Sequence, residues 1–155
     1  LVSVDARLPN PLLAEALASG RLPHLDYPEI RREVAFGDSR LDFRLSGPEG
    51  VCWLETKSVT LVTNGLAQFP DAPTARGRKH LAELIKAREM GHRAAVVFIV
   101  QRTDALHLAP HHEADPQFAA GLQHAAAAGV EIRAFTCNVS LESIAIAVEI
   151  PVVLT

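Results

Sequence analysis

Cysteine is scarce in this 155-residue chain: Cys52 and Cys137 stand alone and far apart. That excludes a disulfide framework and a paired-cysteine metal site, and leaves two isolated buried thiols, which fit a reducing cytoplasm. Aromatic residues make up 5%, with a single tryptophan and a single tyrosine. Trp53 reads as a core or rim residue rather than a platform for stacked bases. No Gly-x-Gly-x-x-Gly or Walker loop occurs, so nucleotide-binding folds have nothing to stand on. No apolar run is long enough to cross a bilayer, and no basic segment with an apolar core marks a secretion signal. The chain opens on Leu1 rather than methionine, which leaves a preceding segment open. Strong charge of one sign is missing too. A net charge of −3 excludes a protein that coats nucleic acid by bulk charge, though not one with a local basic patch.

What is present is an ordinary globular composition, 48% hydrophobic and 21% charged, sized for one domain over residues 1–155. "LPNPLLAEALASG" predicts a helix capped by Asn10, with Pro11 at its first position and Gly20 at its end. "EIRREVAFG", "SRLDFRLSG" and "VCWLETKSVTLV" predict an antiparallel meander. In the second of these, Leu41, Phe43 and Leu45 are expected on one face and Arg40, Asp42 and Arg44 on the other. "TNGLAQFPDAPTARG" reads as a loop, followed by a helix capped by Thr74 and stopped by Gly91. "HRAAVVFIVQ" has the unbroken apolar run of a strand covered on both faces. "APHHEAD" reads as a polar surface loop, and Asp115 and Pro116 open another helix. "VEIRAFTCNV" and "SIAIAVEIPVV" predict closing strands. The fold class is α/β, a mixed central sheet flanked by helices.

"LETKSV" holds the chemistry. Glu55 and Lys57 stand two apart on a strand and share a face, whereas Leu54 and Thr56 point the other way. Antiparallel pairing with the preceding strand brings Asp42 towards Glu55. Two adjacent carboxylates repel and call for a cation. Asp42, Glu55 and the Thr56 carbonyl oxygen form a sparse, all-oxygen set of the kind Mg²⁺ or Mn²⁺ accepts. Lys57 would then orient a water or offset charge on a phosphodiester. The competing interpretation is a cross-strand salt bridge on a solvated sheet face. The longer pattern, Asp-(x12)-Glu-x-Lys on successive strands after a helix, is a known nuclease geometry. Glu15 on that helix is a further candidate ligand. Arg76, Arg78 and Lys79 cluster at a helix start and suit phosphate contacts. Arg40 flanks Asp42, and Arg102 either meets phosphate or pairs with Asp104.

The strings "LPNPLLAEAL", "RREVAFGDSRLDF", "ETKSVTLVTNGLAQFPDAPTARGRKHLAEL", "GHRAAVVFIVQRTDA" and "DPQFAAGLQHAAAAGVEIRAF" together resemble the sugar fermentation stimulation protein family over essentially the whole chain. The resemblance implies a restriction-endonuclease-like PD-(D/E)xK core and nucleic-acid binding. In some members it implies nuclease activity on DNA or RNA. It also implies an alternative role, a non-catalytic DNA-binding regulator linked to sugar metabolism, especially that of maltose. Asp42 matches the family's "SRxDF" aspartate, Glu55 and Lys57 its "ExK" pair, and Glu15 the glutamate of its "LxxEAL" region. Full-length members carry an N-terminal OB-type barrel that this chain lacks. Near the start the family's "VNT" is replaced by Val4-Asp5-Ala6. The choice between DNA and RNA, and the oligomeric state, have no signature in the sequence.

Overall fold

The structure, a computed structural model, describes residues 9–141 and 143–154; Val4-Asp5-Ala6 lies outside them. Helix α1 (Pro9–Ala18) buries Pro9, Leu12, Leu13, Ala16 and Leu17, the spacing of one helical face. Asn10 therefore stands inside the first turn rather than capping it. The chain turns at Gly20, where φ is +73°, and passes through a single 3-10 turn at Pro23–Leu25.

The expected meander follows: β1 (Glu29–Phe36), β2 (Ser39–Gly47) and β3 (Gly50–Val59), each antiparallel to the last. Strands β6 (Arg93–Val100) and β8 (Glu131–Val139) continue the sheet in parallel from β3, and β9 (Ile144–Ile150) closes it antiparallel. The order is β1-β2-β3-β6-β8-β9. Alternate residues of β6 feed two cores. Ala94, Val96, Phe98 and Val100 face α2 (Ala75–Glu89) and α3 (Pro116–Ala127), and Ala95, Val97 and Ile99 face α1. A strand covered on both sides needs apolar residues at every position, which explains the unbroken "AAVVFIV".

Two expectations are corrected. The stretch "TNGLAQF" is not a loop. It forms a hairpin of β4 (Leu61–Thr63) and β5 (Leu66–Phe69), turned by Asn64 and Gly65 at φ +52° and +82°, so the strand expected to run on through "TLV" ends at Val59. An Asn-Gly pair tolerates both positive φ values of a two-residue hairpin turn. Strand β7 (His107–Pro110) joins β5 in parallel and makes a separate three-stranded sheet. Strands of three and four residues are too short to show a period. The face assignment of β2 also changes. Leu41 lies in the core beneath α2, whereas Phe43 and Leu45 lie in the core beneath α1. The reversal falls at Asp42, opposite Glu33, whose φ of +52° kinks the hairpin and interrupts its pairing.

Candidate active site

The β2–β3 register pairs Phe43 with Leu54, so one step further along it Asp42 faces Glu55. There the backbone ladder gives way to side chains. Asp42 N–H donates to Glu55 Oε1 at 3.0 Å, and Thr56 N–H donates to Asp42 Oδ2 at 2.8 Å. The β2–β3 ladder ends at Phe43 and Leu54, and beyond it these two N–H groups bond carboxylates. Thr56 points towards α1, where its hydroxyl meets Asp42 Oδ2 at 2.8 Å and also contacts Asn10 Oδ1. Asn10 Nδ2 donates to Asp42 Oδ1 at 2.9 Å. Burial pushes the Asp42 carboxyl up, but the Thr56 N–H, the Thr56 hydroxyl and Asn10 together outweigh it and hold the group below its ordinary 3.8.

Glu55 and Lys57 turn to the opposite face, towards α2. Lys57 Nζ lies 3.3 Å from Glu55 Oε2. Both meet His80, a residue the sequence reasoning missed. Its Nδ1 is 2.5 Å from Glu55 Oε2 and 3.0 Å from Lys57 Nζ. The signal was present: Gly77, His80, Leu81, Leu84 and Ala87 form the buried stripe of α2, and a histidine in that stripe needs a polar partner. Asn10 was missed because its place before Pro11 fits a cap equally well.

A cleft of about 520 Å³ opens beside the cluster, lined by Asp42, Glu55, Thr56, Lys57, Asp71 and Arg76 among others. A second of about 490 Å³ is lined by Arg40, Arg76, Lys79 and His80 with the β1–β2 turn. Arg76 borders both. Three expected site residues lie elsewhere. Glu15 is exposed and pairs with Arg21 at 2.5 Å. Arg78 gives its charge to Asp115 at 2.6 Å, and Arg102 makes a two-pronged pair with Asp104 at 2.8 and 2.6 Å. Each of these ions is neutralised by its own partner, which sequence spacing does not reveal.

Among the described residues no three His, Cys, Asp or Glu side chains gather around one point. The donors that do gather are two carboxylates beside a polar cleft. That fits a hard cation that retains waters and takes only one or two carboxylates, and it does not fit a closed zinc site. Among the described residues no helix is long and apolar enough to cross a membrane.

A mixed sheet flanked by helices resembles the restriction-endonuclease-like class of α/β folds. The comparisons agree. A solved structure described as "The structure of Pyrococcus Furiosus SfsA in complex with Ca2+" superposes with a TM-score of 0.90 at 36% identity, over 95% of this chain and 64% of that one. The family model "Sugar fermentation stimulation protein RE domain" matches residues 7–143. The chain belongs to this SfsA family. It is 48% identical over 153 residues to the sugar fermentation stimulation protein homolog of Desulforamulus reducens, covering 98% of this chain and 64% of that protein. With the Moorella thermoacetica homolog it shares 54% over 140 residues, covering 89% of this chain and 60% of that one. The chain thus spans less than two thirds of the length of these relatives.

Proposed function

We propose that this domain is a metal-dependent nuclease that hydrolyses phosphodiester bonds of DNA or RNA at Asp42, Glu55 and Lys57. One observation carries the reading: Asp42 and Glu55 sit side by side on neighbouring strands and line one cleft, with Asp42 N–H donating to Glu55 Oε1 and the Lys57 ammonium 3.3 Å from Glu55 Oε2. Carboxylates placed in a cleft next to exposed basic residues repel phosphate unless a cation intervenes. Asp42, Glu55 and the Thr56 carbonyl oxygen would hold Mg²⁺ or Mn²⁺. When bound, such a cation polarises a phosphoryl oxygen and lowers the pKa of a water. The description of the Pyrococcus structure as a Ca²⁺ complex supports a site for hard divalent ions. Asn10 and Thr56 orient Asp42. Lys57 stabilises charge developing on the phosphate.

Substrate grip falls to cations without carboxylate partners. Among the described residues Arg31, Arg32, Arg40, Arg44, Arg76 and Lys79 form no ion pair, and all lie on the β1–β2 hairpin or at the start of α2. Arg31 stands directly opposite Arg44 across the hairpin, a like-charge pairing that an anionic partner would relieve. The same face would serve a DNA-binding regulator without turnover, and it is the carboxylate pair that favours the nuclease. Labelled single- and double-stranded DNA and RNA, incubated with and without Mg²⁺ or Mn²⁺, decide between them. Metal-dependent cleavage that Asp42→Asn abolishes while binding persists supports the nuclease. Binding without cleavage of any of the four substrates supports the regulator.

A further inference from the structure

We infer that Ser58 is a further substrate contact of this cleft: its hydroxyl donates to a phosphate oxygen of the bound strand, and the buried amide of Gln101 orients it for that bond. The inference deepens the reading of the cleft as a phosphodiester site and rests on it. Residues 56, 58 and 60 are Thr, Ser and Thr, and all three line the cleft with Asp42 and Lys57. Alternate positions of a strand share a face, so Thr56 and Ser58 stand on the same side of β3. Thr56 spends its hydroxyl on Asp42 Oδ2 at 2.8 Å. Ser58 is differently placed. Its Oγ accepts from Gln101 Nε2 at 2.8 Å. An amide nitrogen only donates, so this bond occupies a lone pair of the hydroxyl and leaves its hydrogen. Among the described residues nothing accepts that hydrogen. The side chain is half-buried and lines a polar cleft, where an anionic oxygen would be the acceptor.

Gln101 is built for the orienting role. It is fully buried, although it follows directly on the apolar strand β6. A buried amide needs polar partners, and here one of them is a residue of the cleft. Its backbone is fixed by the bond from its own N–H to the Val59 carbonyl at 3.1 Å, which extends the β3–β6 ladder by one step. Two residues beyond Ile99, it continues the face of β6 that turns to α1, the side on which Thr56 meets Asn10. Ser58 stands about 6.6 Å beyond Thr56 along the strand, further from Asp42. A contact at that remove holds the strand equally before the reaction and in the transition state. It therefore sets affinity and leaves the maximal rate unchanged.

Single-turnover cleavage with Mn²⁺, followed over a range of protein concentrations, separates the half-saturating concentration from the maximal rate. The probe is whichever labelled DNA or RNA, single- or double-stranded, the wild type cuts fastest. Ser58→Thr keeps the hydroxyl, and Ser58→Val puts a methyl group in its place with the same branching. The Thr variant should stay near the wild-type half-saturating concentration. The Val variant should raise it about 10- to 100-fold, the scale of a hydrogen bond to a charged group, with the maximal rate unchanged. Gln101→Leu should raise it about 2- to 10-fold, the scale of a neutral hydrogen bond. Combining Ser58→Val with Gln101→Leu removes both partners of the bond, which costs little stability. That double variant should match Ser58→Val alone, because Gln101 acts through Ser58. Equal half-saturating concentrations in the Thr and Val variants overturn the contact. A wild-type value in Gln101→Leu overturns the orienting role. A wild type that binds nucleic acid without cutting it defeats the nuclease reading instead. Fluorescence anisotropy then compares the same variants, and the same order of affinities supports the contact, whereas equal affinities overturn it. A wild type that neither cuts nor binds any of the four nucleic acids overturns both.

Discussion

Asn10 and Glu15 lie five residues apart on α1, which turns them about 140° away from each other around the helix. That angle decides which of them serves the site. Asn10 reaches Asp42 and Thr56, and Glu15 leans over the helix end to Arg21. A sequence names both side chains, but their direction depends on how α1 is rolled against the sheet. The roll is set by Leu12, Leu13, Ala16 and Leu17 packing on the core that Phe43 and Leu54 share. Two single substitutions test the assignment. Asn10→Ala should lower Mn²⁺ affinity by about 10-fold, the lower end for losing a hydrogen bond to a ligating carboxylate. Glu15→Ala should leave that affinity unchanged. Calorimetry showing the reverse order would return Glu15 to the site.

At the scale of elements, Asp115 joins two helices. Its carboxylate accepts from Phe118 N–H at 2.9 Å as the cap of α3, from Thr74 N–H at 2.8 Å ahead of α2, and from Arg78 at 2.6 Å. Burial pushes this carboxyl up, but the N–H groups of Thr74 and Phe118 and the charge of Arg78 outweigh it and hold it below its ordinary 3.8. Between the folded and unfolded values the unfolded chain binds a proton that the folded chain refuses. Stability from Asp115 is therefore complete above the ordinary value and is lost as pH falls through the lowered one. Asp115→Ala should cost about 2 kcal/mol or more at neutral pH, since it removes a cap and two further hydrogen bonds. Urea denaturation at pH 7 and pH 3 should show that cost shrinking in acid; an equal cost at both would contradict the linkage. The caps at Thr74 and Asp115, the meander and the buried strand β6 were all legible, because each rests on residues adjacent in sequence. The β4–β5 hairpin offered only Asn64-Gly65 as a cue. His80 could be located only once α2 was seated on β3, and the kink at Glu33 and Asp42 arises from pairing between strands, which no local period records.

Across the whole molecule, charge is sorted by location. Several arginines away from the site are paired: Arg93 with Glu131, Arg133 with Glu131 and Glu149, and Arg102 with Asp104. Among the described residues Arg40, Arg76 and Lys79 form no ion pair and line one cleft, so a net charge of −3 conceals a basic face around them, with Arg78 beside it held by Asp115. Replacing Arg40, Arg76 and Lys79 together by Ala should reduce the salt dependence of duplex binding by about 0.9 in log–log slope for each phosphate that is no longer neutralised. Arg78→Ala should instead lower stability and leave the slope alone. The central claim concerns what happens at the end of that face, where Asp42, Glu55 and Lys57 meet. Single-turnover cleavage by Lys57→Ala with saturating protein and Mn²⁺, run beside a thermal melt, tests it most directly. Lys57→Ala keeps both carboxylates and the basic face, so the account predicts bound substrate and a cleavage rate reduced about 10²-fold or more. An unchanged rate in a folded Lys57→Ala protein would contradict it.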